Sequence, residues 1–297
     1  MKTLVLGSSG QLGQCLADQS SAFDFDCIFS SKSQIDITDF NKTAMEIKNI
    51  QPRAIINAAA YTSVDGAEKE RDLADSVNHR AVGNLATLCA KLDILLIHIS
   101  TDYVFDGDSC KSYVEDDATN PTGIYGRTKL LGERAIIESD CQYAIVRTSW
   151  LFSEYHNNFL KTMLRVASKN EALRIVDDQY GCPTYAQDLA HALLVCLVNG
   201  FSTDRLQEIY HYAGDHECSW YSFAQYIFKV SLTHGFSTPD KIKPITTEEY
   251  PTAAQRPAYS SLNSAKYFKH FGEKPSDWRK GVELSLEALV SNRELGS

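Results

Sequence analysis

The stretch Thr3-Leu-Val-Leu-Gly7-Ser-Ser-Gly10-Gln-Leu-Gly13-Gln-Cys-Leu16 decides the fold of this 297-residue chain. Its first five residues predict a buried parallel strand, and the residues after Gly10 predict a helix through Leu16. The three glycines form a G-x-x-G-x-x-G variant of the dinucleotide-binding fingerprint, which permits a tight turn and the close approach of a pyrophosphate. The N-terminus of the helix favours the charge of that pyrophosphate. The stretch therefore predicts an α/β fold with a nucleotide site at the edge of its sheet.

The composition is that of a globular protein with a full hydrophobic core. Hydrophobic residues make up 43% of the chain and charged residues 23%, and no apolar run approaches the length of a membrane span. The net charge of −9 argues against non-specific binding of nucleic acid, which requires a basic surface. The eight cysteines contain no C-x-x-C pair, which favours reduced thiols over disulfides or a zinc site. We therefore expect a cytoplasmic protein that binds neither nucleic acid nor membrane.

A second informative stretch runs from residue 98 to residue 133. It predicts a strand that ends in Ser100-Thr101 and, after an acidic loop, a helix that carries Tyr125 and Lys129. Residues four apart lie on one helix face, so the Lys129 ammonium should draw the pKa of the Tyr125 phenol towards neutrality. A phenol tuned in this way can act as a proton donor or acceptor, with the Thr101 hydroxyl on the same reacting oxygen. Taken alone, the pair is more typical of an ordinary amphipathic helix; the strand-end Ser-Thr and the N-terminal glycine loop are what favour the catalytic interpretation.

Local signals predict three structural details around this stretch. Asn120 and Pro121 have the residue types of an N-cap and a first helical turn, which puts Tyr125 about one turn inside its helix. The charged run from Glu68 to Asp72 fits a solvated helix start. His98 lies on a buried strand and fits a hydrogen-bonded core histidine better than a catalyst.

Together these motifs resemble the extended short-chain dehydrogenase/reductase superfamily and, within it, the dTDP-4-dehydrorhamnose reductase family. The resemblance covers the chain from Gly7 to about Trp278. It implies a doubly wound parallel sheet of the Rossmann type with a smaller C-terminal α/β lobe for the substrate. Residues 1–150 would form the dinucleotide-binding domain, joined by elements of residues 160–200. Residues 151–297 would form mainly the substrate lobe, including a strand at Ile209–Ala213.

The fingerprint and the resemblance predict an NADPH site along the carboxyl edge of the sheet, with the pyrophosphate at Gly10-Gln11-Leu12. After the second strand, where NAD-selective sites carry a carboxylate, the chain has Ser30-Ser31-Lys32. These side chains could accept a 2′-phosphate, so NADPH is favoured, with NADH as the alternative. The remaining cofactor contacts follow the family pattern and comprise Asp36, Ile37, Ala58, Ala59, Ala60, Tyr61, Thr62, Ile99, Tyr125 and Lys129.

The pair Asp102-Tyr103 separates reduction from elimination. The sugar-nucleotide 4,6-dehydratases, which resemble this chain, carry a glutamate after the aspartate to remove the C5 proton. An unperturbed phenol stays protonated at neutral pH, so Tyr103 is not suited to that task. The pair therefore favours a reductase over a dehydratase.

The substrate site is predicted mainly from the resemblance. Thr101, Asp102 and Tyr103 would border it, Trp150 would pack on the sugar, and Asn158 and Lys161 are candidate contacts. Arg256 is a candidate clamp for the diphosphate, because a guanidinium presents a fork that matches phosphate oxygens. A surface or hinge arginine remains an alternative for that position.

The resemblance implies reduction of the C4 keto group of dTDP-4-dehydro-β-L-rhamnose by NAD(P)H, the last step of dTDP-L-rhamnose synthesis for polysaccharides such as O-antigen. Tyr125 would donate the proton, Lys129 would orient the nicotinamide ribose, and Thr101 would hydrogen-bond the carbonyl oxygen. Two alternatives stay open. One is a reductase or epimerase of another 4-keto sugar nucleotide. The other is a non-catalytic regulatory subunit that resembles the β subunit of methionine adenosyltransferase.

One position departs from the family. Some members dimerise around a magnesium ion held by carboxylates, one of them two residues beyond the last fingerprint glycine, where this chain has Cys15. A thiol is a poor ligand for a hard cation. We therefore expect no metal site and no requirement for Mg²⁺, and the sequence leaves a monomer and a homodimer open.

Overall fold

The computed structural model describes residues 2–169, 172–202, 205–273 and 275–295. Its strands are β1 (Lys2–Leu6), β2 (Asp26–Ser30), β3 (Ala54–Asn57), β4 (Leu95–Thr101), β5 (Tyr143–Thr148), β6 (Leu151–Phe152), β7 (Ala172–Val176), β8 (Tyr180–Gly181), β9 (Thr184–Tyr185), β10 (Gln207–His211), β11 (Cys218–Ser219) and β12 (Lys241–Ile245). Its helices are α1 (Gln11–Ser20), α2 (Phe40–Ile50), α3 (Val64–Ala67), α4 (Arg71–Asp75), α5 (Ala81–Leu92), α6 (Ile124–Glu138), α7 (Phe159–Ala167), α8 (Ala186–Gly200), α9 (Trp220–Thr233), α10 (Ala265–Phe271) and α11 (Trp278–Leu295). A π-helical turn, Ser76–Arg80, joins α4 to α5, and 3₁₀ turns span Asp102–Val104 and Thr247–Glu249.

A parallel sheet of six strands, in the order β10-β5-β4-β3-β1-β2, forms the centre of the molecule. Its middle strands are apolar on both faces because helices cover both. Val5, for example, faces α1 and α8, whereas its neighbour Leu4 faces α2 and α5. The α/β fold predicted from the glycine stretch and the doubly wound parallel sheet implied by the resemblance are therefore confirmed.

The smaller lobe is built from residues that follow β5. Here β7 pairs in parallel with β12, and α7, α9 and α11 pack around a separate aromatic core that includes Phe152, Phe223 and Trp278. Two further two-stranded pairs are formed by β6 with β9 and by β8 with β11. In the described ranges, no helix has the length and hydropathy that crossing a membrane requires.

The expected strand near residues 209–213 lies in the central sheet and not in the smaller lobe. It forms as β10 and pairs in parallel with β5, so that Ile209 lies opposite Ile145. Tyr210 is fully buried there in the same core cluster as α8. Burial of the β5 edge explains this placement, since an uncovered edge strand would leave backbone groups unpaired. The domain boundary at residue 150 remains a prediction.

The start of α6 also differs from the expectation. The helix begins at Ile124 with Gly123 as N-cap, so Tyr125 is its second residue, and Asn120 does not cap it. The Asn120 N–H instead donates to the carbonyl of Val104 at 3.0 Å. The Glu68 carboxylate accepts from the Ile124 N–H at 2.8 Å and satisfies the helix start from a distant part of the chain. Glu68, which we expected on a solvated face, therefore has a structural role as a cap of α6.

Candidate active site

A cleft of about 600 Å³ opens where β1, β3, β4 and β5 end at the carboxyl edge of the sheet. In open α/β sheets this edge is where ligands bind. The cleft brings together residues from the glycine loop, the ends of three further strands, α6 and the entry to α7. The predicted residues that line it are Gly10, Gln11, Leu12, Ala58, Ala60, Thr62, Ile99, Thr101, Asp102, Tyr103, Tyr125, Lys129, Trp150 and Asn158.

The glycine loop has the shape that a pyrophosphate requires. Gly7 has a φ of +79°, and a Cβ there would lie 2.7 Å from the backbone nitrogen of Ala59. A Cβ at Gly13 would lie 2.4 Å from the Gly7 carbonyl oxygen. Gly10 is the N-cap of α1 and has no side chain with which to cap it. The first-turn N–H groups of α1 therefore face the cleft edge as an anion site, which fits a dinucleotide.

A second pocket of about 250 Å³ continues from the glycine loop towards β2. Asp36 and Ile37 line it with Ala59 and Tyr61, as predicted, and Leu73 and Val77 add apolar walls. Its size and apolar lining suit a purine ring.

The predicted 2′-phosphate residues are not equally placed. Lys32 lines the second pocket, with Nζ 3.8 Å from Asp36 Oδ2. Ser31 lies beside it, but its hydroxyl bonds Ser33 and Gln34 at 2.9 Å each. Ser30 is buried, and its carbonyl accepts from the backbone of the glycine loop. Lys32 is thus the side chain that the fold brings to the pocket, and the roles of Ser30 and Ser31 remain predictions.

Thr101, Tyr125 and Lys129 meet at the centre of the cleft. Thr101 is the last residue of β4 and caps the following 3₁₀ turn, while Tyr125 enters from the first turn of α6. The helix can approach this turn because residue 126 is a glycine, where a Cβ would lie 2.0 Å from the Tyr103 carbonyl oxygen. The Thr101 hydroxyl donates to Asp102 Oδ1 at 2.9 Å and lies beside the Tyr125 phenol. The predicted catalytic group is therefore assembled.

The expected fall in the pKa of Tyr125 is wrong. Burial raises the pKa of the phenol to about 12; the neighbouring Thr101 hydroxyl opposes this rise, and the nearby Asp102 adds to it. Lys129 is itself buried, and its Nζ donates to the Ile99 carbonyl at 2.6 Å and contacts His98 Nε2 at 3.2 Å. Desolvation outweighs the helix-face pairing that the sequence suggested. Tyr125 is consequently a phenol at neutral pH, which is the form that donates a proton.

Asp102 and Tyr103 complete the floor of the cleft. Burial raises the pKa of Asp102 to about 6, against a hydrogen bond from the Thr101 hydroxyl to Oδ1 that lowers it. Burial also raises the pKa of Tyr103, whose ring meets that of Tyr125 edge to face at 5.5 Å. A protonated Tyr103 agrees with the inference that this position does not act as a base.

Trp150 forms one wall of the cleft and stacks on Trp220, with ring centroids 3.4 Å apart. Its φ of +46° is unusual for a bulky residue, so the surrounding structure holds it in a strained conformation. Asn158 is held from several sides, because it caps α7 and donates to Gln11 Oε1 at 2.8 Å. Both predicted residues therefore reach the cleft.

Two predicted substrate residues lie away from the cleft lining. Lys161 donates from Nζ to the Glu154 carbonyl at 2.8 Å. Arg256 pairs with Asp65, with Nη2 3.0 Å from the carboxylate. The structure does not bring either side chain to Tyr125, and their roles in binding remain predictions.

Sequence reasoning missed several residues that line the cleft. Asn57 ends β3, Thr148 ends β5 and Ser149 follows it, and His156 and Asn157 precede α7. Thr148 Oγ1 is buried and has no hydrogen-bond partner among the described residues, which suits a polar ligand. Their positions in the sequence could have identified them, because polar residues at the carboxyl ends of parallel strands meet at one edge of the sheet.

Comparisons with known proteins identify the family of this chain. A model of the RmlD substrate binding domain family matches residues 1–291. The dTDP-4-dehydrorhamnose reductase of Aggregatibacter actinomycetemcomitans is 40% identical over 95% of this chain and 97% of its own length. A crystal structure of a dTDP-4-dehydrorhamnose reductase from Clostridium acetobutylicum superposes with a TM-score of 0.90 at 34% identity, covering 97% of this chain and 99% of that one.

A second crystal structure bears on the cofactor. The dTDP-4-dehydrorhamnose reductase of Bacillus anthracis in complex with NADP has a TM-score of 0.88 and 36% identity, with 97% of this chain and 99% of that one covered. The match in sequence and in structure extends over nearly all of each chain. On these grounds the chain belongs to the dTDP-4-dehydrorhamnose reductase family.

Proposed function

We propose that this protein is an oxidoreductase that reduces the C4 keto group of dTDP-4-dehydro-β-L-rhamnose and yields dTDP-L-rhamnose. The observation that carries the proposal is the meeting of Thr101, Tyr125 and Lys129 in one cleft, between the glycine loop and Trp150. The names of its relatives supply the substrate. A non-catalytic subunit would have no need for this arrangement.

NADP(H) is the cofactor that the cleft favours. The glycine loop and the N-terminus of α1 would hold the pyrophosphate, and the second pocket would hold the adenine with Lys32 beside its 2′-phosphate. The related Bacillus anthracis structure contains NADP. When bound along this edge, the reduced nicotinamide supplies a hydride.

The side chains of the cleft perform the remaining chemistry. Tyr125 donates its phenolic proton to the ketone oxygen as the negative charge develops there, and Thr101 hydrogen-bonds the same oxygen. Lys129 orients the cofactor ribose and stabilises the phenolate that remains. A positioned general acid of this kind contributes about 10²–10⁴-fold to the rate. The lobe residues near Trp150 position the sugar, and this orientation removes a further entropic part of the barrier.

The direct test is NADPH consumption by the purified protein with dTDP-4-dehydro-β-L-rhamnose, followed by NMR of the product. We expect dTDP-L-rhamnose from the protein alone, without a partner subunit. A panel of UDP- and GDP-linked 4-keto sugars should give lower kcat/KM. Absence of turnover with every keto sugar would support the non-catalytic alternative. A higher kcat/KM for a sugar linked to another nucleotide would show that the proposed substrate is wrong.

We further expect activity without magnesium. Cys15 is fully buried in the core cluster of α1 and α8, and burial raises the pKa of its thiol, so it cannot serve as an exposed ligand for a hard cation. Turnover should be the same in EDTA and in excess Mg²⁺. A loss of activity in EDTA that Mg²⁺ restores, but not Na⁺ at equal ionic strength, would contradict this expectation.

A further inference from the structure

His98 lies fully buried in the middle of β4, next to the catalytic lysine. Its Nε2 is 3.2 Å from Lys129 Nζ, and its Nδ1 is 3.2 Å from Asn57 Nδ2. Asn57 and His98 also face each other in the register of β3 and β4. Both ring nitrogens are thus engaged by side chains that line the cleft. The hydrogen-bonded core histidine expected from the sequence is therefore confirmed, and its two partners belong to the cleft.

Few charged or titratable groups surround Lys129, and they come from three elements, α6, β5 and β4. Glu133 lies one turn further along α6, but its carboxylate is held by Arg147 of β5 at 2.7 Å. Tyr125 lies one turn before Lys129, and His98 faces it from β4. Burial lowers the pKa of Lys129 to about 8, although Glu133 raises it, and burial together with Lys129 keeps the pKa of His98 well below its ordinary value. The imidazole is therefore neutral, and a neutral amine is accessible near pH 8.

The hydrogen bonds of Asn57 determine which nitrogen of His98 carries the proton. The Ala59 N–H donates to Asn57 Oδ1 at 3.2 Å, so the amide presents its NH₂ group to His98 Nδ1. Nδ1 must then accept, and in a neutral imidazole the proton lies on Nε2. An Nε2–H group donates towards Lys129 Nζ, which can accept only as a neutral amine.

If Lys129 is an ammonium, each hydrogen bond along Lys129, His98 and Asn57 must reverse its direction. Nε2 would then accept, Nδ1 would carry the proton, and the Asn57 amide would have to rotate and face its NH₂ group towards the Ala59 N–H. Ala59 belongs to the loop that borders the second pocket. Protonation of the lysine is therefore linked, through His98 and Asn57, to the backbone of the loop that would contact the cofactor.

We propose that His98 is a positioning residue that fixes Nζ of Lys129 beside the Ile99 carbonyl and favours its neutral amine over its ammonium while the cofactor is absent. At the pH values where the free protein holds the amine neutral, binding against the Ala59 loop is then accompanied by uptake of one proton at Lys129. This inference rests on the proposed binding of NADPH in the cleft. It does not depend on which keto sugar is reduced.

The test is the affinity for NADPH, measured by fluorescence titration between pH 6 and pH 10 in wild type, His98→Gln and Leu96→Val. Uptake of one proton makes the wild-type affinity fall about tenfold per pH unit above about pH 8. A glutamine amide can rotate independently of Asn57 and turn its oxygen towards the ammonium. The fall in NADPH affinity should therefore begin about one pH unit higher in His98→Gln. Leu96 is equally buried on the same face of β4 and does not contact Lys129, so Leu96→Val should follow the wild-type curve.

A His98→Gln curve that coincides with wild type would overturn the inference, as would a wild-type affinity that does not change with pH. If His98→Gln does not fold, His98→Asn serves, since its shorter side chain reaches Asn57 but not Nζ. We expect a kcat about tenfold lower in His98→Asn with an unchanged KM for the keto sugar. Wild-type kinetics in that variant would refute the role. Failure of the wild-type protein to bind NADPH at all would instead refute the proposed function.

Discussion

At the scale of single residues, Tyr125 carries the proton chemistry of the cleft. Tyr125→Phe removes the phenolic oxygen but keeps the ring that packs against Tyr103. A general acid contributes about 10²–10⁴-fold, so kcat should fall at least about a hundredfold while the Kd for NADPH changes less than about threefold. Steady-state kinetics and fluorescence titration measure the two quantities.

The matched control is Tyr113→Phe. Tyr113 is also buried and also loses a hydrogen-bonding hydroxyl, which donates to Asp106 at 2.8 Å outside the cleft. Its kcat should equal that of wild type. A Tyr125→Phe enzyme that retains full turnover would remove Tyr125 from the mechanism.

Asp102 predicts a pH-dependent stability. Its pKa in the folded protein is raised to about 6 by burial, so the folded state binds the proton more tightly than the unfolded chain does. The ionised carboxylate therefore destabilises the fold fully above about pH 6, and this cost disappears as pH falls below about 4. The shift corresponds to about 3 kcal/mol as an upper figure.

Asp102→Asn keeps the shape and removes the buried charge. We expect the variant to be more stable than wild type in urea unfolding at pH 8, by about 1–3 kcal/mol, with the difference vanishing near pH 4. Equal differences at both pH values would show that the carboxylate is not the cause. Because Asp102 also borders the substrate site, its kcat is expected to fall while its stability rises.

At the scale of secondary structure, the sequence predicts what local patterns determine. The glycine stretch predicts the first strand, the turn and α1. Prediction from the sequence fails where a residue or strand that is distant along the chain determines the local structure. Glu68 caps α6 from 56 positions away, and β10 joins the central sheet because the β5 edge needs a partner. Neither partner is visible in the residues next to Asn120 or Ile209.

The approach of α6 to the turn after β4 depends on Gly126. A Cβ there would lie 2.0 Å from the Tyr103 carbonyl oxygen, so Gly126→Ala must push the helix away from the turn and separate Tyr125 from Thr101. Overpacking of this kind costs about 1–3 kcal/mol, and we expect kcat to fall at least about tenfold as well. Urea unfolding and steady-state kinetics measure both effects. Arg127→Ala, an exposed change in the same helix, should leave both unchanged.

At the scale of the whole molecule, residues 254–261 form a strap that ties the smaller lobe to the central sheet. The Ala254 N–H donates to Asp65 Oδ1 at 3.0 Å, and the Tyr259 N–H donates to the Gly107 carbonyl at 3.2 Å. On the lobe side, the Ser260 N–H donates to the Tyr180 carbonyl at 2.8 Å. The strap therefore joins α3 and the loop at Gly107 to β8 through hydrogen bonds.

Arg256 lies on this strap, and its contacts are compatible with two different roles. Its Nη2 donates to Asp65 at 3.0 Å, which would make it an anchor of the strap. Its Nε is buried and has no hydrogen-bond partner among the described residues, so the guanidinium retains capacity for a second acceptor such as a diphosphate oxygen. The sequence could not distinguish these tasks, because Asp65 is 191 positions away.

The variants Arg256→Met and Asp65→Asn separate the two tasks. Both disrupt the anchor, but only Arg256→Met removes the charge that a diphosphate would meet. Hydrogen bonds to charged groups are worth about 1.5–3 kcal/mol, so Arg256→Met should raise the KM for the sugar nucleotide about ten- to a hundredfold while the Kd for NADPH stays constant. Asp65→Asn should lose similar stability in urea but keep a KM close to wild type, since its arginine is released and not removed. If the two variants raise KM equally, Arg256 acts only by holding the strap in place, and the diphosphate must be bound by other residues.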